Sequence, residues 1–292
     1  MNIVVCVKQV PDPHSPLKVG NDSRFIDSEG IGYITSPCDL IAVKWAGGLK
    51  GGNISVQFMA ISLGSYSAEK VLRECIAFGA DRALLLCDAA FENSDGYATG
   101  VALAKAIELS QYDIVLCGVQ ALDTGAGWVG PVVARRLGIP LVTRVAGIEV
   151  HDEERKVTVQ RRLEGTNREI VETSLPCLLT VDSLLDKPRY PSVRSIQAAQ
   201  RQNIEHLNKE SLGLSSKEVG SSGSKTHIKR LSVSKPRPKK LFTPDSSLPA
   251  VERIRLIMSG GITEKKDSRL EGNSAELASR LVQFLRQERI LH

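Results

Sequence analysis

The chain has 292 residues, 42% hydrophobic and 24% charged, the balance of a globular protein able to bury a substantial core in one large domain or two smaller ones. Its formal net charge of +5 is concentrated in THIKRLSVSKPRPKK (226–240), and with aromatic residues at only 4% no base-stacking platform accompanies that run, which argues against nucleic-acid binding and for a solvated segment. No apolar stretch reaches the roughly 20 residues that span a bilayer, and MNIVVCVKQV enters a strand without a basic leader, so the expected location is cytoplasmic, without direct membrane insertion.

Strand and helix signals alternate through the first 180 residues. NIVVCVKQV (2–10) predicts a strand, PCDLIAVKWAGGL (37–49) a helix, NISVQFMAISLG (53–64) a strand, and SAEKVLRECIAFG (67–79) a helix with Ser67 as N-cap and Gly79 beyond its end. RALLLCD (82–88) repeats the strand pattern; SDGYATGVALAKAIELS (94–110) is helical, YDIVLCGV (112–119) a strand, GWVGPVVARRLG (127–138) a helix and PLVTRV (140–145) a strand. Short apolar strands joined by helices require parallel pairing with right-handed crossovers, which predicts a doubly wound, mostly parallel α/β fold. From 148 to 176 two alternating segments flank EGTN and read as an antiparallel hairpin, after which CLLTVD (177–182) is a buried strand. Beyond Pro188 the rhythm is lost: SLGLSSKEVGSSGSKTH (211–227) has the Ser and Gly content of a linker or surface arm, and NSAELASRLVQFLRQERIL (273–291) is an amphipathic helix with Leu277, Leu281, Phe284 and Leu285 on one face. The expected organisation is an α/β domain over 1–190, then a C-terminal arm over 191–292 ending in that helix.

Ligands of doubly wound sheets bind outside the carboxyl ends of strands, where helix N-termini attract anions. The loop DTGAGW (123–128) sits at such a position; its glycines allow close backbone approach to a phosphate, Thr124 offers a hydroxyl and Asp123 an acceptor. The same residues also suit an ordinary strand-to-helix turn, since neither G-x-G-x-x-G nor a P-loop Lys is present. CVKQVPDP after the first strand and ISLGSY after the second belong to the same edge, and TSPCD adds a further helix start. The six cysteines contain no C-x-x-C pair, so neither a zinc site nor a disulfide framework is expected. His14 and His151 fall in loop or hairpin segments without a catalytic partner, and His206, His227 and His292 lie in or near flexible regions, so no catalytic residue is assigned. MSGGITEKKDS (258–268) lacks the adjacent Asp and Ser of the adenylating enzymes' pyrophosphate loop and lies too late in the chain.

Four segments, VVCVKQVPD (4–12), AFGADRALLL (77–86), LCGVQALDTGAGWVGP (116–131) and LPCLLTVDSLLDKPRY (175–190), resemble in order and spacing the β subunit of electron transfer flavoproteins. The resemblance implies an electron carrier that pairs with an α subunit, shares an FAD with it, and passes electrons between acyl-CoA or other flavin dehydrogenases and a quinone-linked or other acceptor, with bifurcating relatives. It implies a nucleotide in this subunit, AMP or a second FAD, contacted by Cys6; by Ser36, Pro37, Cys38 and Asp39; by Leu63; and by Gly118, Val119, Gln120, Ala121, Leu122, Asp123, Thr124, Gly125, Ala126, Gly127, Trp128 and Val129. Ser36 replaces the family's usual Asn, and Thr124, Gly125, Gly127 and Trp128 replace a more polar run. KPRYPSVRSIQAAQ (187–200) is similar to the family's partner-recognition loop, with Val193 as its apolar anchor. A stand-alone adenine-nucleotide-binding regulatory protein of the same fold is the alternative, which leaves the hairpin and terminal helix without a role.

Overall fold

The computed structural model describes residues 1–16, 29–50, 55–185, 190–230, 243–258 and 272–287. The elements in chain order are β1 (Asn2–Val7), β2 (Gln9–Pro11), β3 (Tyr33–Thr35), α1 (Pro37–Leu49), β4 (Gln57–Leu63), α2 (Glu69–Ala77), β5 (Arg82–Leu86), α3 (Gly96–Glu108), β6 (Ile114–Gly118) and α4 (Val129–Leu137). Then follow β7 (Leu141–His151), β8 (Lys156–Arg162), β9 (Arg168–Ser174), β10 (Cys177–Val181), α5 (Val193–Arg201), β11 (Glu205–Leu207), α6 (Gly220–Gly223), α7 (Ala250–Met258) and α8 (Ser274–Gln287). Chain contacts divide them into one compact unit, Met1–Ser232, and a second, Val233–His292, which holds α7 and α8. Among the described residues no helix is long and apolar enough to cross a membrane.

The first unit is built on a nine-stranded sheet in the order β11-β5-β4-β1-β6-β10-β7-β8-β9. From β11 to β7 every pairing is parallel, as the apolar runs require. The chain winds outward from β1 through β4 to β5, then crosses back to β6 on the other side of β1. The topological switch point therefore lies between β1 and β6. Alternate residues of β1 serve the two faces: Ile3, Val5 and Val7 pack beneath α1 and α2, and Val4 and Cys6 beneath α3 and α4. The α3 and α4 backbones approach closely because Gly100 faces Val132, where an added Cβ would stand 2.7 Å from the valine Cβ.

Several expectations change. Ser67 does not cap α2: it lies in a tight turn, Tyr66–Ala68, and its hydroxyl donates to Gln9 Oε1 at 2.7 Å. The expected strand over 2–10 breaks at Lys8, whose N–H and C=O are taken by Asp39 and Ser36. PLVTRV is not a separate strand but the first half of β7, which runs on into the antiparallel hairpin through a bulge where Arg144 adopts φ 58° and donates its N–H to Thr180 Oγ1. The antiparallel part thus has three strands, β7, β8 and β9.

The β/α rhythm also persists past Pro188. Helix α5 packs on α2, where Arg73 Nη1 donates to the carbonyls of Ala199, Gln200 and Gln202, and β11 extends the sheet beside β5. His206 accordingly sits in a strand, 3.1 Å from Glu69, and not in a flexible segment. The expected surface arm 211–227 is packed: Leu212, Leu214 and Val219 are buried against the α3 face, because three well-placed apolar residues suffice where average composition reads only Ser and Gly. Helix α8 forms over the described part of the expected span, residues 288–291 lying outside the described residues, with Leu281 and Phe284 about half exposed.

Gly100→Ala is expected to lower the unfolding free energy by about 1–3 kcal/mol through overpacking. A urea midpoint equal to that of the parent chain would contradict the close α3–α4 approach.

Candidate functional site

A cavity of about 520 Å³ opens at the carboxyl ends of β1, β4 and β6, at the switch point. Its apolar lining includes Val7, Leu63, Phe91 and Leu103, and its floor carries Cys6 and Cys117 on adjacent strands. Two helices direct their N-termini into it. They differ in a way that decides where an anion can sit.

Helix α3 is capped. Asp95 Oδ1 accepts from the N–H groups of Tyr97 and Ala98, while Oδ2 accepts from Lys225 N, Thr226 N and the Thr226 hydroxyl at 2.8–2.9 Å. Burial alone would raise this carboxyl, but the N–H donors of Ala98, Thr226 and Lys225 and the Thr226 hydroxyl hold it at about 2. A fixed negative charge therefore already occupies the α3 terminus.

Helix α4 is not capped. Its N-cap is Trp128, with no side-chain hydrogen bond, and the N–H groups of Ala126, Gly127, Trp128, Val129 and Gly130 find no acceptor among the described residues. The glycines shape this turn: Gly125 and Gly127 have φ of 61° and 64°, where a side chain is disfavoured, and a Cβ on Gly127 would meet the Val119 carbonyl. Trp128 packs on the first turn of α3, where Gly96 leaves room for it.

Asp39 joins the strand ends. From the first turn of α1 its buried carboxyl accepts Lys8 N–H at 2.9 Å and Gly118 N–H at 2.7 Å. Burial pushes it up to about 7 against the pull of those two donors. A Cβ on Gly118 would stand 2.3 Å from Asp39 Oδ1, so this position accepts only glycine. Burial, then the charges of Asp39 and Asp182, raise the Cys38 thiol; the hydrogen bond with Cys6, then burial, raise that of Cys117. Neither is a thiolate nucleophile at neutral pH. Among the described residues no group of three or more His, Cys, Asp or Glu could hold a metal ion.

Of the residues singled out in the sequence, Cys6, Asp39, Leu63, Gly118, Gln120 and Ala121 line the cavity, as do Thr124, Ala126, Gly127, Trp128 and Val129. Ser36, Pro37 and Cys38 form the turn behind Asp39, and Val119, Leu122, Asp123 and Gly125 belong to the loop without lining the cavity. Val193 is elsewhere, exposed at the first position of α5. Sequence reasoning missed the opposite wall, Asn93, Ser94, Asp95, Thr99 and Thr226. The signal was the D-G pair opening α3, a cap sequence. It also passed over Lys8, the one cation in the lining among the described residues, whose Nζ reaches both Asp123 carboxylate oxygens at 2.7 and 2.8 Å.

The fold and site define a doubly wound α/β protein with an anion-ready cavity at its switch point, the place where this class takes its ligands. Residues 25–212 match the family model of the electron transfer flavoprotein domain. The electron transfer flavoprotein subunit beta of Thermoanaerobacterium thermosaccharolyticum is 38% identical over 275 residues, covering 93% of this chain and 97% of that protein. Subunit CarD of the caffeyl-CoA reductase-Etf complex of Acetobacterium woodii is 39% identical over 231 residues (79% and 87%), and protein FixA of Azotobacter vinelandii 34% over 249 (82% and 86%). The chain belongs to the electron transfer flavoprotein family.

The Asp39 carboxyl gives the fold a pH signature. Between pH about 4, where the unfolded carboxyl ionises, and about 7, the folded chain holds a proton that the unfolded chain has released, so this group's contribution to stability falls as pH rises across that window, by up to about 4 kcal/mol. Asp39→Asn should shrink the difference in unfolding free energy between pH 5 and pH 8. An equal difference in variant and parent would show that Asp39 titrates normally.

Proposed function

We propose that the chain is the β-type subunit of a two-subunit electron carrier, which pairs with an α subunit, shares an FAD with it, and holds an adenine nucleotide in the switch-point cavity. The observation that carries the nucleotide reading is the uncapped start of α4: Ala126, Gly127, Trp128 and Val129 line the cavity with N–H groups that have no acceptor among the described residues, and the α3 start beside them is sealed by Asp95. A phosphate fits the first terminus and is repelled by the second. The apolar surface of Val7, Leu63, Phe91 and Leu103 suits the base. The order of these features, anion site at α4 and apolar wall across β1 and β4, fits AMP and equally the AMP half of a second FAD.

The relatives' names carry the electron-transfer reading. Bound FAD supplies the redox chemistry, and the protein supplies binding, orientation and electrostatics. The residues of this chain accordingly have holding roles: Asp39 fixes the strand ends, the Thr124–Val129 turn presents N–H donors, and Asp95 anchors the far wall. The dehydrogenase that donates electrons docks on the exposed N-terminal turn of α5, with Val193 as anchor, while α8 covers its Leu277, Leu281, Phe284 and Leu285 face on the α subunit. The complex works in the cytoplasm.

Purification of the complex, denaturation and chromatography of the released nucleotides tests the cavity. One FAD with one AMP per complex identifies AMP as its ligand, and two FAD identify a second flavin. One FAD with no further nucleotide would overturn the reading.

Val193→Ala removes two methyl groups from a side chain that is 71% exposed in the chain alone. It should leave flavin content unchanged and weaken docking of the electron donor by about 1–2 kcal/mol, from about 0.8 kcal/mol per buried methylene-sized group. Parent-like electron-transfer rates at limiting donor concentration, across the candidate flavin dehydrogenases, would remove Val193 from this role.

A further inference from the structure

The charges around the cavity are unequal in availability. Asp95 is saturated by five donors and Asp39 by two backbone N–H groups, so neither carboxyl is free to engage a ligand. Lys8 is the only cation in the lining among the described residues, and its backbone is pinned: its N–H donates to Asp39, and its carbonyl accepts from Ser36 N–H at 2.9 Å. The side chain is therefore rooted at a fixed backbone position between the end of β1 and the loop that leads to the uncapped α4 terminus. There it meets both oxygens of Asp123, a residue outside the cavity lining, whose Oδ1 also accepts Thr124 N–H. The Lys8 and Asp123 side chains retain 43% and 26% exposure, so both are open to exchange of partners.

We propose that Lys8 is the cation that recognises the phosphate of the cavity's ligand, and that Asp123 is its internal competitor, holding the ammonium until an anionic ligand displaces it. This rests on the nucleotide reading of the cavity. A partly exposed ion pair contributes little net stability, so exchanging one anion for another costs little, whereas a phosphate that also accepts several N–H bonds from α4 gains from the added charge. Asp123 gives up only the Lys8 bond in the exchange, because its cap on Thr124 N–H is independent of Lys8.

The two partners make opposite predictions, which separates competition from a latch that merely steadies the loop. The complex with the α subunit, freed of bound nucleotide, is titrated calorimetrically with AMP and with adenosine. Lys8→Met should bind AMP about tenfold more weakly. Asp123→Asn, which keeps an oxygen to cap Thr124, should bind AMP severalfold more tightly, and adenosine affinity should be the same in all three proteins. If the parent complex binds neither ligand, the nucleotide reading itself falls. If it binds AMP but Asp123→Asn binds it equally or more weakly, or adenosine affinity shifts in parallel with AMP, Lys8 and Asp123 act as a structural latch and the competition is overturned. Should Lys8→Met fail to fold, the sign of the Asp123→Asn effect decides alone.

Discussion

A doubly wound sheet has to part its strands' connections at the switch point without letting the strand ends drift, and here one buried carboxyl meets that constraint. Asp39 reaches from α1 to the backbone N–H groups at the ends of β1 and β6, the two strands between which the winding reverses. Leaving either N–H unpaired in this buried place would cost about 1–3 kcal/mol. Gly118 is obligatory because Asp39 occupies the volume of its missing Cβ, and Lys8 breaks the first strand because its peptide turns to meet Asp39 and Ser36. The geometry of the cavity's floor follows from these contacts.

The cavity has a built-in direction. Two helix starts face it, both produced by strand-to-helix turns in the same sheet, and a single side chain makes them unlike: Asp95 neutralises the α3 dipole, while Trp128 leaves that of α4 unanswered. An elongated ligand with one charged end can therefore lie in the cavity in one orientation. This polarity comes from how each helix start is capped.

The parallel sheet was legible because its strands are buried on both faces and read as continuous apolar runs, and the loop after β6 because φ > 0 at Gly125 and Gly127 needs glycines that show in the sequence. Other features left weaker traces. Strand β7 changes partners from parallel to antiparallel at a bulge formed by Arg144, a residue type that carries no bulge signal. Segment 211–227 reads as a surface arm because Leu212, Leu214 and Val219 are diluted by Ser and Gly, although these three side chains decide its burial. The far wall was missed for the same reason: Thr226 lies at the end of that segment, over a hundred residues from Asp95, which it helps to saturate. A lone Lys after a strand is an ordinary surface residue until the fold sets it in a cavity lined by no other cation among the described residues.

The long reach from Asp95 to Thr226 bears on the order in which the molecule is completed. Strands β1, β4 and β6 and the turn before α4 are all present once the first 137 residues exist, so the cavity's floor and its anion site belong to the early part of the chain. The wall beside α3 is not finished until residue 226 has emerged and folded back on Asp95. The pocket's full lining therefore exists only in a chain extended at least as far as Thr226, although most of its residues lie within the first 137.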